Sequence, residues 1–202
     1  MARRLLYLAR HGETDWNAAH RWQGQTDVPL NPLGRAQAHA VAQKLRPAGL
    51  SGIATSDLSR AQETARIIAD ELGLPIAHVD SALRERSFGC FEGLTREECE
   101  TLHPDAWRLW RAERRPPAGA EAHEQLTARA VEAIARVAMD VARDDAPALV
   151  VTHGGVLRAI VAVATGTLPA PVDNGAVWRV AWEGRPVWAE EGLDGLSQNG
   201  VR

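Results

Sequence analysis

The sequence has few cysteines and no long hydrophobic run, and each shortage excludes a class of protein. Cys90 and Cys99 are the only cysteines among 202 residues. They form neither a disulfide framework nor a Cys-x-x-Cys metal pair, so we expect reduced thiols in the cytoplasm. No apolar run approaches the ~20 residues of a membrane helix. The apolar stretch at residues 5–9 is too short for a secretory signal, and we expect no membrane association.

Lysine is also scarce, and the charge is nearly balanced. Lys44 is the single lysine among 23 basic residues, so an arginine at any one position is weak evidence for a phosphate site. A net charge of -3 and a pI of about 6.2 give no basic field that would attract nucleic acid. Also missing are the motifs of P-loop proteins, dinucleotide-binding folds, α/β-hydrolases and zincins.

The apolar pattern predicts an α/β fold. Hydrophobic residues make up 45% and charged residues 24%, which is ordinary for a globular chain. The length suits a single domain spanning residues 1–202. Short apolar runs alternate with helical periodicity, as in a three-layer α/β/α sandwich with a mostly parallel central sheet. The strands are predicted at residues 5–9, 52–55, 75–79, 148–152, 177–182 and 186–189.

Capping residues and breakers delimit the helices. Asn31 before Pro32 predicts the start of one helix. Asp57 is predicted to cap the next helix, and Gly73 follows its end. Residues 11–29 are predicted to be a loop, and further helices are predicted at about 95–113, 122–143 and 154–165. The segment at about 81–120 has no strand pattern, so we interpret it as a small helical insertion. The tail from about residue 192 is polar.

Two buried strands end in the same kind of residues. One ends with Arg10 and His11, and the other ends with His153 followed by Gly154. Ligands bind at the carboxyl ends of strands in an open parallel sheet, so both histidines are expected at one edge. Glycine after each histidine lets backbone N–H groups approach an anion closely. Arg60, in the first turn of a predicted helix, joins the same edge. Two histidines and two arginines suit a tetrahedral dianion.

Seven stretches in order, over about residues 4 to 165, resemble the motifs of one known family. The chain resembles the histidine phosphatases of the phosphoglycerate mutase-like superfamily, whose name-giving motif is Arg-His-Gly. The similar stretches are Arg10-His11-Gly12, Thr14-x-Trp16-Asn17, Arg21-x-Gln23-Gly24-x-x-Asp27-x-Pro29-Leu30, Gly34-x-Ala36-Gln37-Ala38, Ser56 to Ala65, Leu83-Arg84-Glu85 with Phe88-Gly89-x-x-Glu92-Gly93, and Val151-Thr152-His153-Gly154-Gly155.

The resemblance implies a phosphohistidine mechanism. His11 would be the nucleophile that attacks phosphorus. Glu85 would protonate the leaving alcohol and then deprotonate the attacking water. Arg10 and Arg60 would hold the nonbridging oxygens. His153, if protonated, would add a third positive donor.

The resemblance also implies the rest of the phosphate site. Asn17 and the Gly154 amide would complete the cradle, and Gln23 and Gly24 would touch the substrate. No metal and no cofactor are expected, because arginine and histidine supply the charge. The resemblance therefore implies that the protein is a metal-independent phosphomonoesterase and that its partner is its substrate, a small phosphorylated metabolite.

Some residues keep two interpretations at this stage. Glu13 and Glu92 lie near the predicted mouth and compete with Glu85 for the role of acid. Arg114-Arg115 is either a solvated helix end or a clamp for a second anionic group, since phosphoglycerate mutases carry a similar pair. A homodimer through a free sheet edge at residues 177–189 is also left open.

Three alternatives to a phosphohistidine phosphatase are compatible with parts of the sequence. Cys90 and Arg96 match the Cys-x5-Arg spacing of cysteine phosphatases. Glu92 lies inside that loop, however, and its negative charge would destabilise the thiolate that such an enzyme uses. A mutase would use the same chemistry, although mutases usually carry a longer insertion. A non-catalytic phosphate-binding module would be expected to lack one of the site residues, and all of them are present.

Overall fold

A six-stranded sheet forms the centre of the computed structural model, which describes residues 3–189. The strands lie side by side in the order β3-β2-β4-β1-β5-β6. The first four are parallel, and β5 runs antiparallel to β1 and to β6. The mixed, mostly parallel sheet confirms the predicted fold class. The strands are β1 (Arg4–Arg10), β2 (Gly52–Thr55), β3 (Ile76–Val79), β4 (Ala148–Thr152), β5 (Val177–Trp182) and β6 (Pro186–Trp188).

Helices cover both faces of the sheet. Side chains alternate along a strand, so Leu6 and Leu8 of β1 pack in one apolar cluster while Tyr7 and Ala9 pack in another. The first cluster includes residues of α6 and α7, and the second includes residues of α2 and α3. The three layers follow from this division. The α-helices of the described part are α1 (Asp15–Ala18), α2 (Pro32–Leu45), α3 (Ser59–Leu72), α4 (Arg96–Leu102), α5 (Pro104–Glu113), α6 (His123–Asp140) and α7 (Gly154–Thr165).

The start of α2 is the one that its capping residues predict. Asn31 accepts a hydrogen bond on its side chain from the Gly34 amide at 2.8 Å, and Pro32 occupies the first turn. The same turn fixes the loop after β1. A Cβ added to Gly12 would lie 2.2 Å from the Gly34 carbonyl oxygen, so the two backbones meet with no side chain between them.

The predicted cap of α3 is wrong. Leu58, rather than Asp57, is the N-cap, and it makes no side-chain capping bond. The Asp57 carboxylate instead accepts hydrogen bonds from Arg84 at 2.7 and 2.6 Å. Asp27 takes its place at the helix start, where its carboxylate accepts from the Ser59 amide at 2.8 Å. The two carboxylates thus hold α3 to two separate loops at the sheet edge.

Residues 11–29, predicted as a loop, contain the one-turn helix α1. Its N-terminus is closed by a capping box in which the Thr14 hydroxyl accepts from the Asn17 amide at 3.2 Å. The Asn17 side-chain oxygen accepts in return from the Thr14 amide at 3.2 Å. Four residues are too few for apolar periodicity to indicate a helix.

The segment 81–120 holds α4, α5 and two short 3-10 turns. Its interior is a separate aromatic cluster in which Phe91, Trp107 and Trp110 are buried with Cys99. The interpretation of this segment as an insertion in a single domain stays a prediction. Within residues 3–189, no helix combines the length and apolar character that a membrane crossing requires. The tail from residue 192 lies outside the described residues.

Candidate active site

The carboxyl ends of β1 and β4 bring the two histidines together. Arg10 and Thr152 are register partners in these parallel strands, so the next residues, His11 and His153, leave the sheet side by side. Their ring centroids are 5.0 Å apart, and the rings are tilted by 60°. Their exposures are 3% and 0%, so solvent barely reaches them in the folded chain.

The His11 ring has a defined tautomer. Its Nδ1 lies 2.7 Å from the Gly12 carbonyl oxygen, and a carbonyl only accepts, so Nδ1–H donates. Burial, followed by the Arg10 and Arg60 guanidiniums, holds the pKa of His11 well below its ordinary value. The ring is therefore neutral near pH 7, and Nε2 carries a free electron pair.

Arg60 forms one cationic wall of the site. Its side chain is fully buried, and its two terminal nitrogens donate to the carbonyl oxygens of Thr26 at 2.9 Å and Gly24 at 2.8 Å. Burial lowers the pKa of Arg60 to about 10, while the Glu85 carboxylate opposes that shift. Even so, the guanidinium is charged at neutral pH.

Arg10 forms the second cationic wall. One terminal nitrogen donates to the Val172 carbonyl oxygen. Burial lowers the pKa of Arg10, and the charges of Glu85, Asp173 and Glu13 partly restore it. The buried Nε atoms of Arg10 and Arg60 have no hydrogen-bond partner among residues 3–189. Buried donors without partners are rare in folded proteins, and an anion bound here would satisfy them.

His153 differs from the expectation of a protonated ring. Its Nε2 lies 2.9 Å from the Ser56 hydroxyl, and its buried Nδ1 is unpartnered within the described chain. Burial holds its pKa well below the ordinary value, with Arg60, His11 and Arg10 acting in the same direction. The ring is therefore neutral, because burial and the nearby guanidiniums of Arg60 and Arg10 disfavour a further positive charge.

The Glu85 side chain contacts the first turn of α7. One carboxylate oxygen accepts from the Gly155 amide at 2.9 Å, and the other accepts from the Arg86 amide at 2.7 Å. A Cβ on Gly155 would stand 2.1 Å from the Glu85 carboxylate, so the second glycine of the block makes room for it. The carboxylate is only partly buried, and its charge acts on both Arg10 and Arg60.

The two competing acids are engaged elsewhere. Glu13 accepts a hydrogen bond from the Asn31 side chain at 2.9 Å, next to the start of α2. Glu92 accepts from the amides of Gln25, Thr26 and Phe88 at 3.0 to 3.1 Å, and from the hydroxyl of Thr26 at 2.6 Å. It holds two loops together and has little capacity left for proton transfer.

The remaining predicted residues surround this group with different functions. The Asn17 side-chain oxygen is held by Thr14 and, at 3.2 Å, by the Asn174 amide group, which leaves the Asn17 NH₂ group for a ligand. The Gly154 amide lies in the first turn of α7, where an amide has no acceptor within its own helix. Gln23 is buried, and its side-chain oxygen has no hydrogen-bond partner among residues 3–189. Gly24 acts through its carbonyl, which receives Arg60, and its φ of 54° lies in the region that favours glycine.

Sequence reasoning missed the residues that support the site. Arg129 donates to the carbonyls of Ala82, Arg84 and Glu85 at 2.8, 2.7 and 3.0 Å. Asn174 donates to the His11 carbonyl at 3.0 Å. The stretch from Glu121 to Arg129 resembles a segment of the family, but a surface role fits that stretch equally well from sequence alone. Asn174 lies outside the recognised blocks. The hydroxyl of Ser56 lies inside such a block, so its position could have been noticed.

The structure shows the surroundings of the residues at 90–115 that kept two interpretations. The Cys90 side chain packs against the aromatic cluster of segment 81–120. Arg115 pairs with Glu113 at 3.2 Å with both side chains largely exposed, as a solvated helix end would. Arg114 caps α5 in the left-handed region at φ 56°. Burial lowers the pKa of Arg158 on α7, and the Arg114 charge acts in the same direction.

Comparisons with known proteins agree with this geometry. The family model described as "Histidine phosphatase superfamily (branch 1)" matches residues 6–189. The chain is 35% identical over 189 residues to a glucosyl-3-phosphoglycerate phosphatase of Mycolicibacterium vanbaalenii, covering 89% of this chain and 82% of that protein. It is 39% identical over 159 residues to phosphoglycerate mutase-like protein 4 of Arabidopsis thaliana, covering 77% and 68%.

Solved structures give the same result. A mycobacterial glucosyl-3-phosphoglycerate phosphatase in complex with VO₃ superposes with a TM-score of 0.78 at 31% identity. The superposition covers 92% of this chain and 96% of that one.

Proposed function

Because the chain belongs to the histidine phosphatase superfamily, we propose that it is a metal-independent phosphomonoesterase that hydrolyses a small phosphate ester. One observation carries the proposal. The hydrogen bond from His11 Nδ1–H to the Gly12 carbonyl leaves Nε2 unprotonated beside two buried guanidiniums. A neutral imidazole nitrogen next to fixed positive charge is suited to attack a phosphoryl group.

The proposed reaction has two transfers. Nε2 of His11 attacks phosphorus, the bond to the ester oxygen breaks, and the Glu85 carboxyl gives its proton to the departing alkoxide. Glu85, now a carboxylate, then takes a proton from water, and the resulting hydroxide attacks the phosphohistidine. Phosphate leaves and His11 regains its free Nε2. The proton taken from water has already returned Glu85 to its starting state.

The other side chains would stabilise charge during both transfers. Arg10 and Arg60 have buried Nε atoms without partners among residues 3–189, which suits them to contact nonbridging oxygens. The Asn17 amide group and the Gly154 amide add neutral donors. Arginines fixed in a dry site stabilise transition-state charge without reorganisation, which supports metal independence.

A direct test combines turnover with trapping of the intermediate. The purified chain should release phosphate from p-nitrophenyl phosphate at an undiminished rate in EDTA. Acid-labile, base-stable phosphate should appear on the protein after rapid quenching. His11→Asn should abolish both signals, while His39→Gln, a change at an exposed histidine on α2, should retain both. Turnover that survives His11→Asn would contradict the mechanism.

The mutase-like relative keeps phosphoglycerate isomerisation as the second candidate. In a mutase, the phosphohistidine returns its phosphoryl group to the other hydroxyl of the bound product, so little phosphate is released. Free phosphate without a bisphosphoglycerate primer indicates the phosphatase, and primer-dependent interconversion indicates the mutase.

Substrate identity belongs to the same proposal. The phosphatase relative acts, by its name, on glucosyl-3-phosphoglycerate. Phosphosugars, phosphoglycerate derivatives and ribazole phosphate are therefore the esters to compare by kcat/KM. We expect a small phosphorylated metabolite rather than a phosphoprotein, because the two histidines and Arg60 are almost fully buried.

A further inference from the structure

Ser56 lies beneath His153, at the point where β2 ends. Its residue is fully buried, and its backbone amide donates to the Val151 carbonyl on the neighbouring strand at 3.1 Å. Its hydroxyl lies 2.9 Å from His153 Nε2 and 3.3 Å from the Leu58 amide nitrogen. The hydroxyl thus sits between a ring nitrogen and the N-cap of α3.

The chemistry of the two neighbours decides where the hydroxyl proton goes. The Leu58 N–H can only donate, so the Ser56 oxygen accepts there. The hydroxyl proton then has one acceptor within reach among residues 3–189, the Nε2 of His153. In the reverse arrangement, Nε2–H would donate to the oxygen and a fully buried hydroxyl proton would have no acceptor, which is costly.

The other ring nitrogen then follows by elimination. A neutral imidazole carries one proton, so an unprotonated Nε2 places that proton on Nδ1. Nδ1 is buried and has no partner among the described residues, and its ring is 5.0 Å from that of His11. A free electron pair at Nδ1 would repel phosphoryl oxygens, whereas Nδ1–H would bind them.

We propose that Ser56 is a positioning residue that donates its hydroxyl proton to His153 Nε2 and so keeps His153 as a neutral Nδ1–H donor to the phosphoryl group. The first half concerns the unliganded protein alone, and the second half rests on the proposed function. His153 would then contribute a hydrogen bond rather than a third positive charge. The low pKa of its ring, caused by burial and Arg60, agrees with this assignment.

The tautomer is measured first, without any substrate. In protein labelled with ¹⁵N-histidine, the resonances absent from His153→Gln identify His153. We expect one nitrogen of protonated type at Nδ1 and one of unprotonated type at Nε2 at pH 7.5. A proton on Nε2, or a doubly protonated ring, overturns the proposal whether or not the protein hydrolyses any ester.

The function of the hydroxyl is tested with three variants. Ser56→Ala should lose the fixed tautomer and lower kcat for p-nitrophenyl phosphate about 10- to 100-fold, as loss of an oriented donor does. Ser56→Thr keeps a hydroxyl and should restore the spectrum. Ser51→Ala is the matched control, because Ser51 donates to the Val141 and Pro147 carbonyls at the other end of the sheet.

Inorganic phosphate separates the proposal from the proposed function. Its addition should shift the Nδ1–H resonance of His153 in the wild type. The Ser51→Ala control should keep the same His153 tautomer after phosphate is added. A wild type that binds phosphate with no change at Nδ1 contradicts the donor assignment. A protein with the expected tautomer and phosphate response but no turnover contradicts the phosphatase proposal alone. If Ser56→Ala does not fold, the wild-type spectra still decide.

Discussion

At the residue scale, single neighbours fix the protonation of the groups proposed to react. The Gly12 carbonyl holds the proton of His11 on Nδ1, and two backbone amides orient the Glu85 carboxylate. The Gly155 amide at the start of α7 holds the Glu85 carboxylate next to the phosphate site. Because backbone amides hold this carboxylate, Glu85 can be substituted without changing the side chains proposed to bind phosphate.

Replacing the acid should therefore affect turnover more than binding. Glu85→Gln keeps an oxygen that can accept from the Gly155 amide but cannot transfer a proton. For an ester with a poor alcohol leaving group, kcat should fall about 10²- to 10⁴-fold, with phosphate affinity almost unchanged. The measurement is steady-state kinetics together with phosphate inhibition.

The leaving group provides the control for this variant. p-Nitrophenolate departs without help, so Glu85→Gln should slow transfer of the phosphoryl group to His11 much less for p-nitrophenyl phosphate than for an alkyl phosphate. Equal losses for both esters in single-turnover experiments would argue that Glu85 supports the site rather than protonates the alcohol.

At this scale the sequence located reacting groups better than supporting ones. His11, His153, Arg10 and Arg60 could be placed because strand ends and motif blocks share one sheet edge. The hydroxyl of Ser56 and the side chain of Asn174 act through contacts across 97 and 157 residues of sequence. Local patterns contain no information about such pairs, and the protonation of His153 depends on burial that only the folded chain creates.

At the scale of elements, α6 holds the Glu85 loop through one side chain. The Arg129 guanidinium makes a bidentate pair with Glu121 at 2.6 and 2.7 Å and also donates to three loop carbonyls. The fork geometry of arginine allows all of these bonds at once. A lysine at this position could satisfy only some of them.

Arg129→Lys should therefore lower both stability and turnover. We expect a loss of about 1–3 kcal/mol in the free energy of unfolding, because charge-assisted bonds in a partly buried site are lost. kcat should fall because the Glu85 loop loosens, while phosphate affinity changes little. Urea denaturation and kinetics measure the two effects.

Arg136→Lys, on the same helix, is the matched control. Arg136 pairs with Asp80 at 2.7 Å, but its side chain is 43% exposed. Exposed pairs contribute about 0–1 kcal/mol, so stability and kcat should stay near the wild-type values. Similar effects of both substitutions would show that α6 contributes only general charge pairing.

Element boundaries were predictable where the signal is local. Asn31 and Pro32 start α2 as expected. The predicted N-cap of α3 is wrong, because the Asp57 carboxylate accepts from Arg84 instead. The Ser59 amide at the start of α3 donates to Asp27, which is distant in sequence. A residue suited to capping was used for a longer-range contact, which no window of sequence reveals.

At the scale of the whole molecule, the lateral order of strands lies beyond sequence patterns. Alternating strands and helices predicted a parallel sheet, but periodicity does not say which strands are neighbours. The order β3-β2-β4-β1-β5-β6 places β4 beside β1, although 137 residues lie between Arg10 at the end of β1 and Ala148 at the start of β4. That adjacency is what joins the two histidines.

Two buried neutral histidines should make the protein sensitive to acid. The unfolded chain binds a proton on each near pH 6.5, whereas folding holds both pKa values well below that. The unfolded state therefore binds more protons, and stability falls as the pH drops below 6.5. Each histidine contributes about 1.4 kcal/mol per pH unit until its lowered pKa is reached.

Urea denaturation at pH 7.5, 6.5 and 5.5, in buffers without phosphate, measures this dependence. His153→Gln should reduce the loss of stability between pH 6.5 and 5.5 by about 1 kcal/mol, because the unfolded histidine is only half protonated at pH 6.5. His39→Gln changes an exposed histidine and should leave the slope close to that of the wild type. An unchanged slope in His153→Gln would contradict a neutral, buried His153.

Arg129 also joins two parts of the chain that are distant in sequence. It donates to the Glu85 carbonyl and to the Glu121 carboxylate, so both ends of the span 86–120 are tied to one guanidinium. The middle of the span is tied separately to residues 21–26, because Glu92 accepts from the Gln25 and Thr26 amides. Loss of the Arg129 guanidinium would therefore release both ends of the span together while its middle stays anchored.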